Sequence, residues 1–359
     1  MTHDRSIAKM LNLKYPIIQA AMLGVTTPEM VAAVSNSSCL GSLPLGGLSM
    51  KKATELVRAV KSLTKKPLAV NLFVTDKASH FENDVYKQMQ ELVRKVHYAN
   101  NIPFEFNSPS NLKFNHYSEL IPLLISEHVP VVSFTFGILD NYAINNLKSH
   151  GIKIIGTATS LQEAKLLEEA GVDAITAQGV EAGGHRGSFL EPDEPPQIGL
   201  FSLIPQVCAA VKVPVIAAGG ICDRNTVEAA FILGAEAVQI GTLFIPADES
   251  AANDAYKIAV LSSKDSDTKL TRAFTGRWAR GIKNGFMDIV DRSGLRIPCY
   301  NYQNYLTSSM RNFAKQNNNQ ELMSLWAGQS AGKSRRASTK DIIYQLIQHV
   351  ENIKKSDDN

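Results

Sequence analysis

The 359-residue chain is 44% hydrophobic and 20% charged, with 23 Gly and 15 Pro, which excludes a chain that is disordered throughout. Its 37 basic and 34 acidic residues leave a net charge of +3, too small and too dispersed for the phosphate-neutralising stripe of a nucleic-acid-binding protein. Four scattered cysteines, Cys39, Cys208, Cys222 and Cys299, form no C-x-x-C pair, so a reducing cytoplasm is expected and neither a zinc cage nor a disulfide framework is.

Short apolar runs rich in Val and Ile predict strands over 16–20, 39–43, 67–73, 129–136, 152–157, 173–178, 213–219 and 235–241. They do not alternate, as suits strands buried on both faces of a parallel sheet covered by helices. Helical patterns lie between most of them. Thr27-Pro28-Glu29 joins an N-cap threonine to a proline at the first helical position, and Ser160-Leu-Gln-Glu163 has the S-x-x-E form of a capping box. Gly171 and Gly234 stand where a C′ glycine would end a helix before the next strand. No window approaches ~18 consecutive apolar residues and the N-terminus lacks an apolar leader core, so neither a membrane span nor secretion is expected.

Repeated β-α units of this kind predict an α/β fold, a (β/α)8 TIM barrel over 1–246. A polar excursion, 76–118, follows the third strand, and a mainly helical extension, 247–359, is expected to pack on the barrel mouth and end in a frayed charged tail, 354–359. The doubly wound alternative requires G-x-G-x-x-G after the first strand, where Gln19-Ala-Ala-Met-Leu-Gly24 stands instead.

In such a barrel the reactive groups stand on the loops after the strands. Ala218-Gly219-Gly220-Ile221 and Gln239-Ile240-Gly241-Thr242, after the seventh and eighth predicted strands, let backbone approach an anion closely and predict a phosphate site. Gln178-Gly-Val-Glu-Ala-Gly-Gly-His-Arg-Gly187, after the sixth, presents His185 on a glycine-rich loop. An ordinary imidazole pKa near ~6.5 suits proton transfer around neutral pH, which makes His185 the candidate general base. Glu181 reads equally as an acid or as a loop-stabilising or solvated carboxylate, and Arg186 as an anion contact or an exposed ion pair. His3, His80, His97, His116, His128, His150 and His349 have no metal-ligand spacing, and no metal is expected. Cys222 follows the Gly-Gly turn without a base to activate it. Tyr300, Tyr302 and Tyr305 read either as aromatic groups folded over the barrel mouth or as a packing cluster.

The set formed by Pro16-Ile-Ile-Gln-Ala-Ala-Met22, Asn71-Leu-Phe73, the His185 loop, Ala217-Ala-Gly-Gly-Ile221 and Gln239-Ile-Gly-Thr242 resembles the nitronate monooxygenases, formerly called 2-nitropropane dioxygenases. The resemblance runs over nearly the whole chain. It implies a (β/α)8 barrel that holds FMN non-covalently and oxidises alkyl nitronates, such as propionate 3-nitronate, with O2 to a carbonyl compound and nitrite. It places flavin contacts at Asn71, Gln178, Gly183, Gly220 and Gln239 to Thr242, the backbone of Ala21 and Met22 beside the isoalloxazine ring, and the catalytic histidine at His185. The expected partners are a small nitronate or nitroalkane and O2, with no nucleic acid or membrane, in a monomer or homodimer. Ala21, where many members have Gly or Pro, and Trp278, where a smaller residue is common, depart from the pattern and bear on pocket shape.

Three other readings compete. Related barrels act as NAD(P)H:quinone reductases or enoyl-[acyl carrier protein] reductases with much the same flavin loops. A dehydrogenase of the inosine-monophosphate type would want a cysteine on the loop after the sixth strand, which has none. A non-catalytic phosphate-binding barrel would carry no flavin.

Overall fold

In a computed structural model of the protein, residues 6–75, 81–104, 108–112, 114–190 and 194–347 are described. The polypeptide opens with α1 (Ser6–Met10), β1 (Ile17–Gln19), α2 (Pro28–Asn36), β2 (Gly41–Pro44), α3 (Met50–Leu63) and β3 (Leu68–Phe73). After α4 (Asn83–Ala99) and α5 (Ile121–Ser126) come β4 (Val131–Thr135), α6 (Asn141–Ser149), β5 (Lys153–Ala158), α7 (Leu161–Glu169) and β6 (Ala174–Gln178). The short β7 (Gly184–His185) precedes α8 (Leu200–Ala210), β8 (Val215–Ala218), α9 (Arg224–Ile232) and β9 (Ala237–Ile240). The remainder holds α10 (Asp254–Ser262), β10 (Thr268–Thr271), β11 (Ala279–Ile282), α11 (Gly285–Ser293), α12 (Tyr300–Leu306), α13 (Ser308–Gln316) and α14 (Thr339–Ile347).

Eight parallel strands lie in the order β1-β9-β8-β6-β5-β4-β3-β2, and a parallel bridge from Ile18 to Leu40 joins the two ends. All eight predicted strands are present in a nearly closed (β/α)8 barrel. Its helix starts follow local chemistry. Thr27 accepts from the Met30 amide at 3.1 Å with Pro28 at the first helical position. Ser160 accepts from the Glu163 amide at 3.2 Å, but the reciprocal half of the expected capping box is missing. The buried Glu163 carboxylate instead takes the Thr159 amide and hydroxyl at 2.6 and 2.7 Å and the Phe189 amide at 2.6 Å, tying α7 to the loop beyond β7. Gly171 (φ +87°) and Gly234 (φ +109°) occupy the left-handed region after α7 and α9.

Side chains alternate along each strand, and here the alternation sorts three layers. Residues such as Ile17, Val70, Phe134 and Val238 face outward into the cluster shared with the helices. Ile18, Leu40, Ala69, Val131, Ile155, Ala174, Ile216 and Ala237 face inward and meet Ile7 of α1, which plugs the barrel's N-terminal end. Two residues further along, the inward positions turn polar: Ser42, Asn71, Ser133, Thr157, Thr176 and Gln239 floor a cavity at the other end.

The excursion carries more structure than its polar composition suggests. Tyr86, Met89, Val93 and Val96, at helical spacing on α4, pack with Phe274, Phe286, Leu306 and Met310 in a second apolar cluster. His97 belongs to this cluster's edge, with Nδ1 2.8 Å from Val93 O and Nε2 3.0 Å from Ser309 Oγ. The extension departs from a mainly helical cover in two respects. Strands β10 and β11 form an antiparallel sheet with β7, pairing Ala279 with His185 and Arg280 with Gly184. Helix α14 leaves the mouth altogether: Ile342, Ile343, Leu346 and Ile347 join the barrel's outer core beside α2 and α9. The base of the extension is stapled shut, since Asp248 N donates to Ala337 O at 3.0 Å and Glu249 accepts from the Thr339 amide and hydroxyl at 2.8 and 2.7 Å. The charged tail lies outside the described residues.

Candidate active site

A cavity of about 490 Å³ opens at the C-terminal ends of the barrel strands. Ala21, Met22, Asn71, Gln178, Gly183, His185, Gly219, Gly220, Gln239, Ile240, Gly241 and Thr242 all line it, so the positions read from sequence converge on one cavity. Among the described residues no Asp or Glu lines the cavity, whereas Arg311 and Lys315 do.

The glycine loops form the backbone half of this wall. Gly219 (φ +123°) and Gly220 (φ +66°) turn after β8 in the left-handed region, and a Cβ on Gly219 would lie 3.0 Å from Ala182 N. Thr242 opens a short 3-10 turn after β9. The extension reaches down onto both loops, with Ser330 Oγ donating to Gly220 O at 2.9 Å and Gly328 N to Thr242 Oγ1 at 3.1 Å.

His185 stands opposite, in a loop set by an amide and a guanidinium. Gln178 Nε2 donates to His185 O at 3.0 Å, and Gln178 Oε1 accepts from Gly187 N at 2.9 Å and Arg186 Nη1 at 3.1 Å. Arg186 is neither an anion contact nor an exposed ion pair. Only 1% exposed, it donates to the carbonyls of Gly179 (2.6 Å), Gln178 (3.2 Å) and Pro196 (3.2 Å), an internal staple for the loop. Glu181 takes the loop-stabilising role, accepting from Leu200 N at 2.9 Å at the start of α8, whose glycine N-cap offers no side chain.

His185 Nε2 lies 2.8 Å from Thr275 Oγ1, and that hydroxyl also donates to Arg277 O at 3.3 Å. Thr275 thereby accepts from Nε2–H, leaving Nδ1 as the proton-accepting nitrogen. Phe136, Tyr300 and Trp326 surround the ring with centroids at 5.6, 5.9 and 5.5 Å. Phe136 holds a positive φ of +79°, and Arg277 stacks on its face at 4.2 Å. The pKa near ~6.5 expected from sequence does not survive this setting. Burial, then the Arg277 and Arg311 charges, depress His185 to about 3, so the imidazole is neutral at physiological pH.

Glycine-rich loops and a neutral histidine thus share one cavity at the mouth of a (β/α)8 barrel. A family model described as nitronate monooxygenase matches residues 5–349. The chain belongs to the nitronate monooxygenase family. A probable nitronate monooxygenase of Staphylococcus aureus (strain Newman) is 40% identical over 354 residues, covering 98% of this chain and 99% of that protein. The nitroalkane oxidase of Streptomyces ansochromogenes superposes with a TM-score of 0.89 at 32% identity, over 98% and 99% of the two chains. FabK of Thermotoga maritima follows at a TM-score of 0.75 and 28% identity, over 97% of each. This member of the nitronate monooxygenase family is therefore an oxidoreductase of a flavoenzyme group.

Several wall residues of this family member had no signal in sequence. Ser42, Ser133, Thr157 and Thr176 are visible only once strand register shows which polar residue points inward. Thr275 lies in a glycine-rich segment that carried no assigned role, and Arg311, Asn304 and Trp326 come from the extension. The tyrosines divide between the two readings: Tyr300 faces the cavity, while Tyr302 packs on Phe81 and Tyr86 at 4.7 and 6.0 Å. Of the two departures, Ala21 is on the wall, while the Trp278 carbonyl accepts from Arg186 N at 2.8 Å behind the His185 loop. Burial raises Cys39 to about 12 and Cys208 to about 11, and raises Cys222 as well, so none of the three is poised as a thiolate. Among the described residues no group of three or more His, Cys, Asp or Glu could hold a metal, and no helix is long and apolar enough to cross a membrane.

Proposed function

We propose that this family member holds FMN non-covalently in the 490 Å³ cavity and oxidises alkyl nitronates with O2 to a carbonyl compound and nitrite. The observation that carries the proposal is a neutral imidazole facing a cavity whose opposite wall is a glycine cradle, with no carboxylate among the described lining residues. The volume falls within the ~300–1,000 Å³ typical of sites for ligands of this size. Gly219, Gly220, Gly241 and Thr242 would hold the phosphate by close backbone approach; a Cβ on Gly219 would lie 3.0 Å from Ala182 N, and the φ of +66° at Gly220 disfavours a side chain. Asn71, Gln239 and the backbone of Ala21 and Met22 would face the ring system, and Gln178 and Gly183 would shape the loop that closes over it.

FMN, when bound, supplies the electron acceptor for the nitronate, and O2 completes the oxidation. The chain's own residues bind and orient. His185 Nδ1 accepts a hydrogen bond or, when a neutral nitroalkane is supplied, its α-proton. A base depressed to about 3 is poorly matched to carbon acids. The preformed nitronate is accordingly the better substrate, and its negative charge near the ring offsets Arg277 and Arg311 and raises the imidazole. Phe136, Tyr300 and Trp326 enclose the reacting region in apolar faces.

Denatured protein is expected to release FMN, and the enzyme in air to form nitrite from ethyl nitronate. Colourless protein, or flavin-loaded protein that forms no nitrite, would refute the proposal. A reductase reading draws on the likeness to FabK. Rapid bleaching of the flavin by NADH without air, with no nitrite formed in air, would favour it.

A further inference from the structure

A second cavity, of about 330 Å³, adjoins the one at the barrel mouth. Three short segments serve both. After β8, Gly219 and Gly220 face the barrel mouth and Cys222 the second cavity; after β9, Thr242 and Leu243 divide in the same way. In the extension, Ser330 faces the first and Lys333 the second. Helix α14 completes the second cavity with Ile342, Gln345 and Leu346, which share one helical face at i, i+3 and i+4. No residue lines both cavities.

The lining is divided in chemistry. Leu243, Ile342 and Leu346 are buried members of the barrel's outer core and make an apolar floor, and the Cys222 thiol, raised by burial, joins it as a neutral group. Against this floor stand three cations, Arg224, Lys333 and Arg335. Arg224 gives its Nε to Glu228 Oε1 at 2.6 Å, whereas the side chains of Lys333 and Arg335 have no ion-pair or hydrogen-bond partner among the described residues. Asp223 is the one carboxylate among the described lining residues. It caps α9 through Oδ1, which accepts from the Thr226 amide at 3.0 Å and hydroxyl at 2.8 Å, and Oδ2 stays outside the cap. Converging cations beside an apolar floor call for an anion with an apolar body.

We propose that this second cavity binds a nucleoside phosphate. Lys333, Arg335 and the Nη groups of Arg224 take the phosphates, and the base lies on Leu243, Ile342 and Leu346 with the Gln345 amide at its edge. Asp223 Oδ2 accepts from the ribose hydroxyls. A bare anion would leave the apolar floor in water, and a fatty carboxylate would set its own charge against Asp223. The volume falls in the range of small-molecule sites. The inference stands apart from the flavin reading, since it uses none of the residues of the barrel-mouth cavity.

The test measures labelled ADP by equilibrium dialysis against the purified protein, with FMN in excess and with adenosine and pyrophosphate as unlabelled competitors. ADP is expected to bind saturably, and each fragment to displace it at least ~10-fold less effectively than unlabelled ADP. The double variant Lys333→Ala/Arg335→Ala should bind ADP at least ~10-fold more weakly, the usual worth of charge-assisted hydrogen bonds. Both side chains are exposed, so flavin content and Tm should not change. Should Tm fall, Arg335→Gln alone carries the comparison. No saturable binding at millimolar ADP overturns the proposal, and so does pyrophosphate that displaces as well as ADP, because the cavity would then be a plain anion patch. ADP binding that the double variant leaves unchanged, or that excess FMN abolishes, also overturns it, because the ligand would then sit elsewhere. Pyridine dinucleotides carry the same adenosine diphosphate group: NAD+ that displaces the label as well as ADP assigns the site to a dinucleotide, and weaker displacement to a free nucleotide.

Discussion

The cavity's two walls are made by different means. The barrel wall is backbone, turned inward by Gly219, Gly220 and Gly241, while the extension's wall is side chain, with Trp326, Tyr300, Arg311 and Thr275 around one imidazole. In the function proposed above, the first wall would accept any ligand with the right anion and outline. The second sets what reacts, because the charge and polarity around His185 come from it: Arg311 helps to depress the ring and Thr275 fixes its tautomer. A common barrel can thus serve different chemistries when a separate segment is laid over its mouth.

The sharpest way to break this contrast is Gly220→Asp. Its φ of +66° makes the substitution strained, and its charge repels a phosphate. Apoprotein is expected, read as loss of flavin absorbance; normal flavin content would move the cradle elsewhere. His185→Asn should keep the flavin and lose turnover of neutral nitroalkane by about 10²-fold, with a smaller loss for preformed nitronate. Equal losses on both would make His185 a binding group alone. Gly183→Ala tests where the walls meet. Its Cβ would lie 2.5 Å from Gly328 N, so overpacking should cost about 1–3 kcal/mol, measured as a lower Tm. A fourth effect, acid sensitivity, shows only as the pH is lowered. With His185 depressed from 6.5 to about 3, the unfolded chain binds a proton between those values that the folded protein does not. Stability therefore falls as pH drops from about 6.5 toward about 3, and His185→Gln should flatten that decline in Tm against pH.

Much of the barrel was legible because each unit carries local punctuation. Thr27-Pro28, Ser160 and the C′ glycines Gly171 and Gly234 act within a few residues of themselves, so sequence alone displays them. The backbone wall was legible for the same reason. What escaped depends on distant partners. Arg186 looked like a surface cation until three carbonyls closed on it, and α4 hid its apolar stripe among charged residues whose counterpart lies near Phe274 and Met310. His185 was found by position, but its acidity was misjudged, because Arg277 and Arg311 reach it from far along the chain.

The staples at Asp248–Ala337 and Glu249–Thr339 have a consequence for how this architecture diversifies. A segment that enters and exits at one point behaves as a cassette. Replacing it with a counterpart from another barrel leaves the eight-stranded barrel sheet untouched, provided the newcomer also supplies a strand to pair with β7 and matches the apolar stripe of α4. New selectivity can then be acquired by transplanting one module, with no redesign of the scaffold beneath it.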